Sequence, residues 1–339
     1  MFAENGKLIS EGDIFKNTAF ADFLDIIIKN GSDYFYNGEG LNIILKHCDE
    51  SSYIKKNDFN SYKIYKRNPL FLNYLDYDIL TNPAPSFGGS LIIFLLKLFK
   101  DSGREFSLSN LIKAMNLSSL ARNEICKNPD DEMEINNIFD KEHYSRFLNM
   151  FKNNSMKFTD GIDGFGSTTH VSILDNNGNA ASITTTNGEG CGYVIPEFGI
   201  MMNNMLGEQD LNPFGFHNWN KARRLPTMIS PIIICKNNKP KYVFGSGGSN
   251  RIRSANTQVI FNLLYKNCSL EQAIDESRIH LEGKTLFYEP GISLPDESLF
   301  ENIVLNSFSD KNVFFGGVNA VSKEEAIGDK RRGGFGIVS

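Results

Sequence analysis

Gly166-Ser167-Thr168-Thr169-His170-Val171-Ser172-Ile173-Leu174-Asp175 puts two hydroxyl residues at the head of an alternating, β-branched run. Thr168 onward reads as a strand, Asp175-Asn176-Asn177-Gly178 as a tight turn, and Ala180 to Thr186 as the returning strand of a hairpin. A threonine hydroxyl is a poor nucleophile unless a base stands beside it. Cutting the chain just before the threonine supplies that base, because the freed α-amino group has an unperturbed pKa of roughly 7.7–8.0 and belongs to the same residue. Thr168 is the candidate reactive residue and the bond between Ser167 and Thr168 the candidate cleavage point, a reading that Thr168-Thr169-His170 alone does not justify and that rests on the resemblance given below. The Asn- and Asp-rich stretch 152–166 reads as an exposed loop, which gives that bond room to bend toward the hydroxyl.

Three further motifs follow in order: Asn203-Asn204-Met205-Leu206-Gly207-Glu208, Leu225-Pro226-Thr227-Met228-Ile229-Ser230-Pro231 and Gly245-Ser246-Gly247-Gly248-Ser249. The last lies between a strand pair, Ile232 to Cys235 and Tyr242 to Gly245, and a helical run from about Ile252 to Lys266. Backbone N–H groups at such a junction can hold an anion. No Gly-Lys-Ser/Thr opens the helix, so a phosphate loop is a poor reading. An oxyanion hole and a tight strand-to-helix turn both fit.

Together with Thr168-Thr169-His170, these motifs resemble the small subunit of gamma-glutamyltransferases (gamma-glutamyltranspeptidases, glutathione hydrolases), over nearly all of 168–339. Glu11-Gly12-Asp13-Ile14-Phe15 and Leu80-Thr81-Asn82-Pro83-Ala84-Pro85-Ser86-Phe87-Gly88-Gly89 resemble the later part of that family's large subunit. The resemblance implies an α+β fold, the N-terminal-nucleophile hydrolase αββα four-layer sandwich, with the nucleophile heading a central strand. It also implies incompleteness at the N-terminus, since the chain opens at what resembles the middle of the large subunit. Residues 1–167 would be the C-terminal part of a large-subunit-like segment, and 168–339 a small-subunit-like catalytic segment intertwined with it in one domain. A chain lacking part of its sheet is expected to expose an edge or apolar surface.

The same resemblance assigns roles. Thr168 would be the nucleophile and Thr186 the second threonine that hydrogen-bonds it. Gly247 and Gly248 would supply the oxyanion donors, although the family's commoner loop has a proline before the glycines. Glu208 falls where an aspartate commonly holds the substrate α-ammonium, and a carboxylate there makes electrostatic sense. Asn187 and Glu189 are helpers in substrate binding. Thr227 falls on the first of two serines that bind the α-carboxylate, and Met228 replaces the second, which removes a donor. The short interval from Glu208 to Thr227 implies an open cleft without a lid, able to admit peptide acceptors.

Other readings compete at single residues. Thr186 alone fits a strand simply because it is β-branched. Glu208 with Asp210 could form a solvated acidic turn, and Arg331 and Arg332 surface charge. His170 reads as a core or hydrogen-bonding histidine rather than a base. His47, His143, His217 and His280 lack metal-ligand spacing, so neither metal nor cofactor is expected.

Composition sets outer limits. The 339 residues are 41% hydrophobic, enough for a substantial core. A formal charge of -5 with mixed signs offers no basic stripe for nucleic acid. The cysteines Cys48, Cys126, Cys191, Cys235 and Cys268 are isolated and odd in number, which reads as reduced thiols. Met1 is followed by a polar stretch without a secretory pattern, so the expected compartment is the cytoplasm, or the periplasm for a chain that has lost a leader. The most apolar run, Leu91 to Phe99, contains Lys97 and falls short of the roughly 20 residues of a membrane span, so it reads as a buried helix.

Periodicity predicts helices from about Phe20 to a stop at Gly31, from Leu41 to Lys46, from near Ser90, from a Ser107 cap through Met115, and from Lys141 to Phe151. Two strands are expected within Tyr62 to Leu80, and Ser269-Leu270-Glu271-Gln272 reads as a capping box. Ser86-Phe87-Gly88-Gly89 fits close packing and a ligand site equally. The resemblance thus implies a self-processing threonine-nucleophile enzyme that cleaves gamma-glutamyl amides such as glutathione, through a gamma-glutamyl ester on Thr168. It would pass the acyl group to water or to an amino-acid or peptide acceptor, with its cleaved fragments staying associated. The alternatives are an inactive truncated homologue that needs a separate N-terminal portion, and an acylase of glutaryl side chains or poly-gamma-glutamate.

Overall fold

The computed structural model describes residues 2–4, 6–10, 12–48, 52–125, 134–158, 168–212, 215–218, 224–295 and 302–339. Contacts divide the chain into two units, one of Met1–Lys66 with Gly190–Asn204, the other of Arg67–Glu189 with Met205–Ser339.

In the smaller unit, helix Thr18–Asn30 starts where the Asn17 side chain accepts from the Phe20 N–H at 3.1 Å. It ends at Gly31, whose φ of 74° suits a residue without Cβ. Phe23 on this helix, Ile44 of helix Glu39–Lys46, Ile195 and Phe198 form a small core of their own. The Phe23 and Phe198 rings lie 4.6 Å apart.

The larger unit is organised around a six-stranded antiparallel sheet. Its strands run in the order Ala326–Ile327, Gly317–Val321, Lys239–Gly247, Ile232–Lys236, Tyr77–Thr81, Leu70–Tyr74. Asn237 and Asn238 take φ of 52° and 59°, the left-handed pair that a two-residue hairpin turn demands. Because Tyr77–Thr81 pairs with Ile232–Lys236, segments from both sides of Thr168 share this sheet. Helices Phe87–Ser102, Leu108–Ile125, Lys141–Lys152 and Arg251–Leu264 pack with it around one core that includes Ile79, Ile234, Phe244, Leu91, Phe99 and Phe261.

The hairpin Thr168–Leu174 and Ala180–Thr186 forms a separate two-stranded sheet stacked on the larger one. Polar bolts fix it there. Asn319 Nδ2 donates to the His170 carbonyl at 3.0 Å, and Ser182 Oγ donates to the Phe244 carbonyl at 3.1 Å. On the hairpin's other side Val171, Ile173 and Ile183 remain 48%, 53% and 50% exposed. The unit thus shows three layers in order, helices, large sheet, hairpin.

Several expected boundaries shift. The helix expected near Ser90 begins at Phe87, because the Phe87 and Gly88 N–H groups are satisfied by the Thr227 carbonyl at 2.8 and 3.3 Å. A Cβ at Gly88 would overlap the Met228 carbonyl, and one at Gly89 the Asn82 carbonyl, so these glycines serve close packing. The helix after Ser107 runs to Ile125, well past Met115. Within Tyr62 to Leu80, strand structure begins only at Leu70. The capping box at Ser269 is present, with Gln272 N–H donating to Ser269 Oγ at 3.2 Å.

Candidate active site

Hairpin register is fixed by side-chain period, and here it makes Thr168 and Thr186 direct partners across the two strands. Thr168 Oγ1 donates to Thr186 Oγ1 at 3.2 Å, and Thr186 Oγ1 also accepts from the Gly188 N–H at 3.1 Å. Both threonines are half-buried. Ser167 lies outside the described residues.

The hairpin meets the large sheet where strand Lys239–Gly247 ends. A Cβ at Gly247 would overlap the Thr168 carbonyl oxygen, so only glycine lets the two backbones approach this closely. Gly248 follows with φ 123° and Ser249 with φ 51°, and helix Arg251–Leu264 begins two residues after Ser249. This sharp turn puts the positive end of a 14-residue helix beside the start of the Thr168 strand.

His170 shares a face with Thr168, two residues along the strand. Its ring lies against Gly245, where a Cβ would overlap it. Nδ1 bonds Thr184 Oγ1 at 2.7 Å, and Nε2 bonds Ser172 Oγ at 2.8 Å. Burial holds its pKa down at about 4, so the ring is neutral and both nitrogens are engaged in holding the hairpin.

An acidic group lies in the same unit. Glu208 is pushed up to about 7, first by burial and then by the neighbouring charges of Asp210 and Glu189. Its Oε1 is buried and has no hydrogen-bond partner among the described residues. Asp210 departs from the solvated acidic turn. It is buried, its carboxylate accepts from Ser249 Oγ at 2.6 Å, and its carbonyl accepts from Arg122. Arg122 Nη1 also donates to Asn250 Oδ1 at 3.2 Å, so one buried guanidinium ties the acidic segment to the turn after Gly248. Sequence reading did not single out Arg122 or Asn250; the available signal was an arginine within an otherwise buried helix face.

Asn187 and Glu189 form an isolated bridge beyond Thr186, at the hairpin's exit. Thr227 is half-buried and uses its carbonyl to accept from Phe87, Gly88 and Ser86 Oγ. Met228 is 2% exposed and part of the main core, which leaves its thioether no access to a ligand. Arg331 corrects the surface-charge reading. Its side chain is 2% exposed and pairs with Glu289 at 2.6 Å and Asp329 at 3.3 Å. Asp329 in turn pairs with buried Arg278 at 2.7 Å and accepts from the Val318 N–H at 2.9 Å. Arg332 packs over Gly317 and near Gly248, where burial lowers its pKa. Among the described residues no cluster of three metal-ligating side chains occurs, and no helix is long and apolar enough to cross a membrane.

The arrangement brings together a hydroxyl pair, a glycine turn at a helix N-terminus and a partly buried carboxylate. The family model described as gamma-glutamyltranspeptidase matches residues 1–338. The chain is 28% identical to the capsule biosynthesis protein CapD proenzyme of Bacillus anthracis, over 98% of this chain and 64% of that protein. It is 26% identical to the glutathione hydrolase proenzyme of Bacillus subtilis subsp. natto, over 97% of this chain and 61% of that protein. It therefore spans less than two thirds of the length of these relatives. Among solved structures, cephalosporin acylase from Bacillus halodurans superposes with a TM-score of 0.80 at 22% identity, over 98% of this chain and 65% of that one, and so shares the fold.

Proposed function

The chain belongs to the gamma-glutamyltranspeptidase family, and on that premise we propose that it cleaves gamma-glutamyl amides, glutathione among them, through an ester on Thr168. The observation that carries this reading is the Thr168 to Thr186 hydroxyl contact at the point where Gly247 meets Thr168. In the maturation step, Thr168 Oγ1 attacks the Ser167 carbonyl, the Ser167–Thr168 amide becomes an ester, and water hydrolyses that ester. The products are a Ser167 carboxylate and a free Thr168 amine.

In turnover, the amine takes the Thr168 hydroxyl proton as Oγ1 attacks the gamma-carbonyl carbon, and returns it to the leaving amine. Thr186 holds Oγ1 in line. Backbone N–H groups at Gly247 and Gly248 stabilise the oxyanion, with the helix N-terminus reinforcing them. Water or an acceptor amine then attacks the ester and frees Thr168. Glu208, aided by Glu189 and Asn187, receives the substrate α-ammonium; its buried Oε1, without a hydrogen-bond partner among the described residues, supports this reading. Thr227 contributes to the α-carboxylate end.

The near alternative is an acylase of glutaryl side chains or poly-gamma-glutamate. It is favoured by Met228, which lies in the core and offers no donor to an α-carboxylate. The test pairs two measurements, the intact mass of the purified chain against Thr168→Ala, and release of anilide from gamma-glutamyl and glutaryl anilides. Fragments joining at Ser167 and Thr168, lost in the variant, with preference for the gamma-glutamyl anilide, support the main reading. Glutaryl preference supports the acylase. A single uncut, inactive chain overturns both in favour of a homologue that needs a separate portion.

A further inference from the structure

Three helices of the larger unit line a cavity of about 10 Å³. Leu91 and Leu95 line it from helix Phe87–Ser102, Met115 and Ser118 from helix Leu108–Ile125, and Arg253, Ser254 and Thr257 from helix Arg251–Leu264. The spacings i,i+4 and i,i+3 put each set on one side of its helix. Three polar atoms on this lining are buried and have no hydrogen-bond partner among the described residues: Ser118 Oγ, Arg253 Nη1 and Thr257 Oγ1. Ser254 is already engaged, with its Oγ 2.8 Å from His280 Nδ1.

Arg253 is 7% exposed, and its other arm, Nη2, reaches only to 3.6 Å from the Glu282 carboxylate. Burial lowers its pKa, yet a guanidinium stays protonated in a protein interior. Leaving one of its N–H arms without an acceptor carries the full desolvation penalty of that group. Arg253 shares this interior with buried Arg122 and with the carboxylates of Asp210 and Glu282, none of which reaches its free Nη1. Glu282 is held at about 2 against its own burial by His280 and Arg253, so it is ionised.

We propose that this cavity is a binding site for one small monovalent anion of halide size, held by Arg253 Nη1, Ser118 Oγ and Thr257 Oγ1. Each of the three groups can donate, none is a carboxylate or carbonyl, and Leu91, Leu95 and Met115 close the remaining walls. An anion accepts from all three groups at once, whereas a water accepts from two at most and would turn a proton toward the third. Sulfate and phosphate exceed the space. The ion gives the Arg253 Nη1 arm an acceptor and ties together the three helices, one of which begins directly after the Gly247–Gly248 turn. The inference does not depend on the function proposed above.

The test uses the full chain and bromide as probe. Crystals grown in sodium bromide are measured at the bromine edge, and thermal melting is followed in bromide against gluconate at constant ionic strength, for the wild type and for Ser118→Ala combined with Thr257→Val. The expected result is an anomalous peak within hydrogen-bond distance of Arg253 Nη1, and a saturable rise in Tm with bromide, as ligand linkage requires, that the double variant loses. Ordered water in the cavity with identical melting in both salts overturns the proposal. So does an anomalous peak with no melting shift, which marks an adventitious ion only.

Discussion

Thr168 and Thr186 face one another across the hairpin as register partners, with Oγ1 atoms 3.2 Å apart. Thr186 Oγ1 also accepts the Gly188 N–H, so its position is fixed from outside the pair. Replacing Thr186 with Val keeps the β-branched shape and deletes the hydroxyl. The expected outcome is a fall in kcat of about ten- to a hundred-fold with KM little changed, the size of one hydrogen bond made at the reacting group. Thr186→Ser restores most of the rate. Steady-state kinetics on a gamma-glutamyl anilide decide it; equal rates for Val and wild type would remove Thr186 from the mechanism.

Gly247 offers a sharper geometric test. A Cβ there overlaps the Thr168 carbonyl, so Gly247→Ala must push the hairpin away from the turn. Loss of oxyanion alignment is expected to cost about 100- to 1,000-fold in kcat, and the same displacement slows self-cleavage. Intact mass against time reads the second effect. Full-rate cleavage and turnover in the variant would show that the turn is purely structural.

How much of this was readable beforehand follows from what each residue's role depends on. The hairpin, its turn, the glycine-rich junction and the capping box are local patterns, and each appears where its spacing places it. Strand Gly317–Val321 was not anticipated although it pairs with Lys239–Gly247 inside the large sheet. Its small residues Gly317 and Ala320 carry little β-propensity, and packing against Arg332 and the neighbouring strand decides it. A solvated acidic turn at Asp210 and surface charge at Arg331 stay open as alternatives in the sequence because it gives no burial for an ionised group; their partners Ser249, Glu289 and Asp329 are brought in by the fold. Met228 likewise occupies a motif position while its side chain belongs to the core.

Glu208 gives opposite pH signs for binding and stability. Its pKa is raised to about 7 in the folded chain, so folding favours the protonated form. Between the unfolded carboxyl value of roughly 4.3 and about 7, the folded state binds the extra proton, and this group's contribution lowers stability as pH rises. In the proposed role Glu208 binds the α-ammonium in its ionised form, so kcat/KM is expected to rise with pH through about 7. Glu208→Gln is expected to raise KM about 10- to 100-fold through loss of one charge-assisted hydrogen bond, and to remove that limb of the profile. An unchanged KM would send the α-ammonium elsewhere.

His170 is expected to matter for acid stability and not as a base. Its folded pKa of about 4 lies below the unfolded 6.5, so the unfolded state binds more protons between these values. This contribution is fully present above 6.5 and is lost as pH falls toward 4, about 3 kcal/mol in all. His170→Ala should flatten urea stability across that window and lower it at pH 7.5 by about 2–4 kcal/mol, because Thr184 and Ser172 lose their partner in a buried layer. A variant that stays folded yet loses turnover with a shifted pH–rate profile would return His170 to the chemistry.

The buried ion pairs around Asp329 are expected to hold the C-terminal segment against the sheet, and through it the hairpin. Asp329 pairs with Arg278 and Arg331 and accepts the Val318 N–H, while its own N–H donates to Asn319 Oδ1 at 3.2 Å. Asn319 is the residue that bonds the His170 carbonyl. Asp329→Ala leaves two guanidinium groups without that carboxylate in a buried site, which destabilises by about 3–5 kcal/mol. Urea unfolding is measured in a Thr168→Ala background, so that self-cleavage does not mix with unfolding. Because the bond to Asn319 relaxes too, hydrogen exchange at the strand Thr168–Leu174 should accelerate along with that around Val318. A loss of stability with unchanged exchange in the hairpin would confine the network's effect to the C-terminal segment.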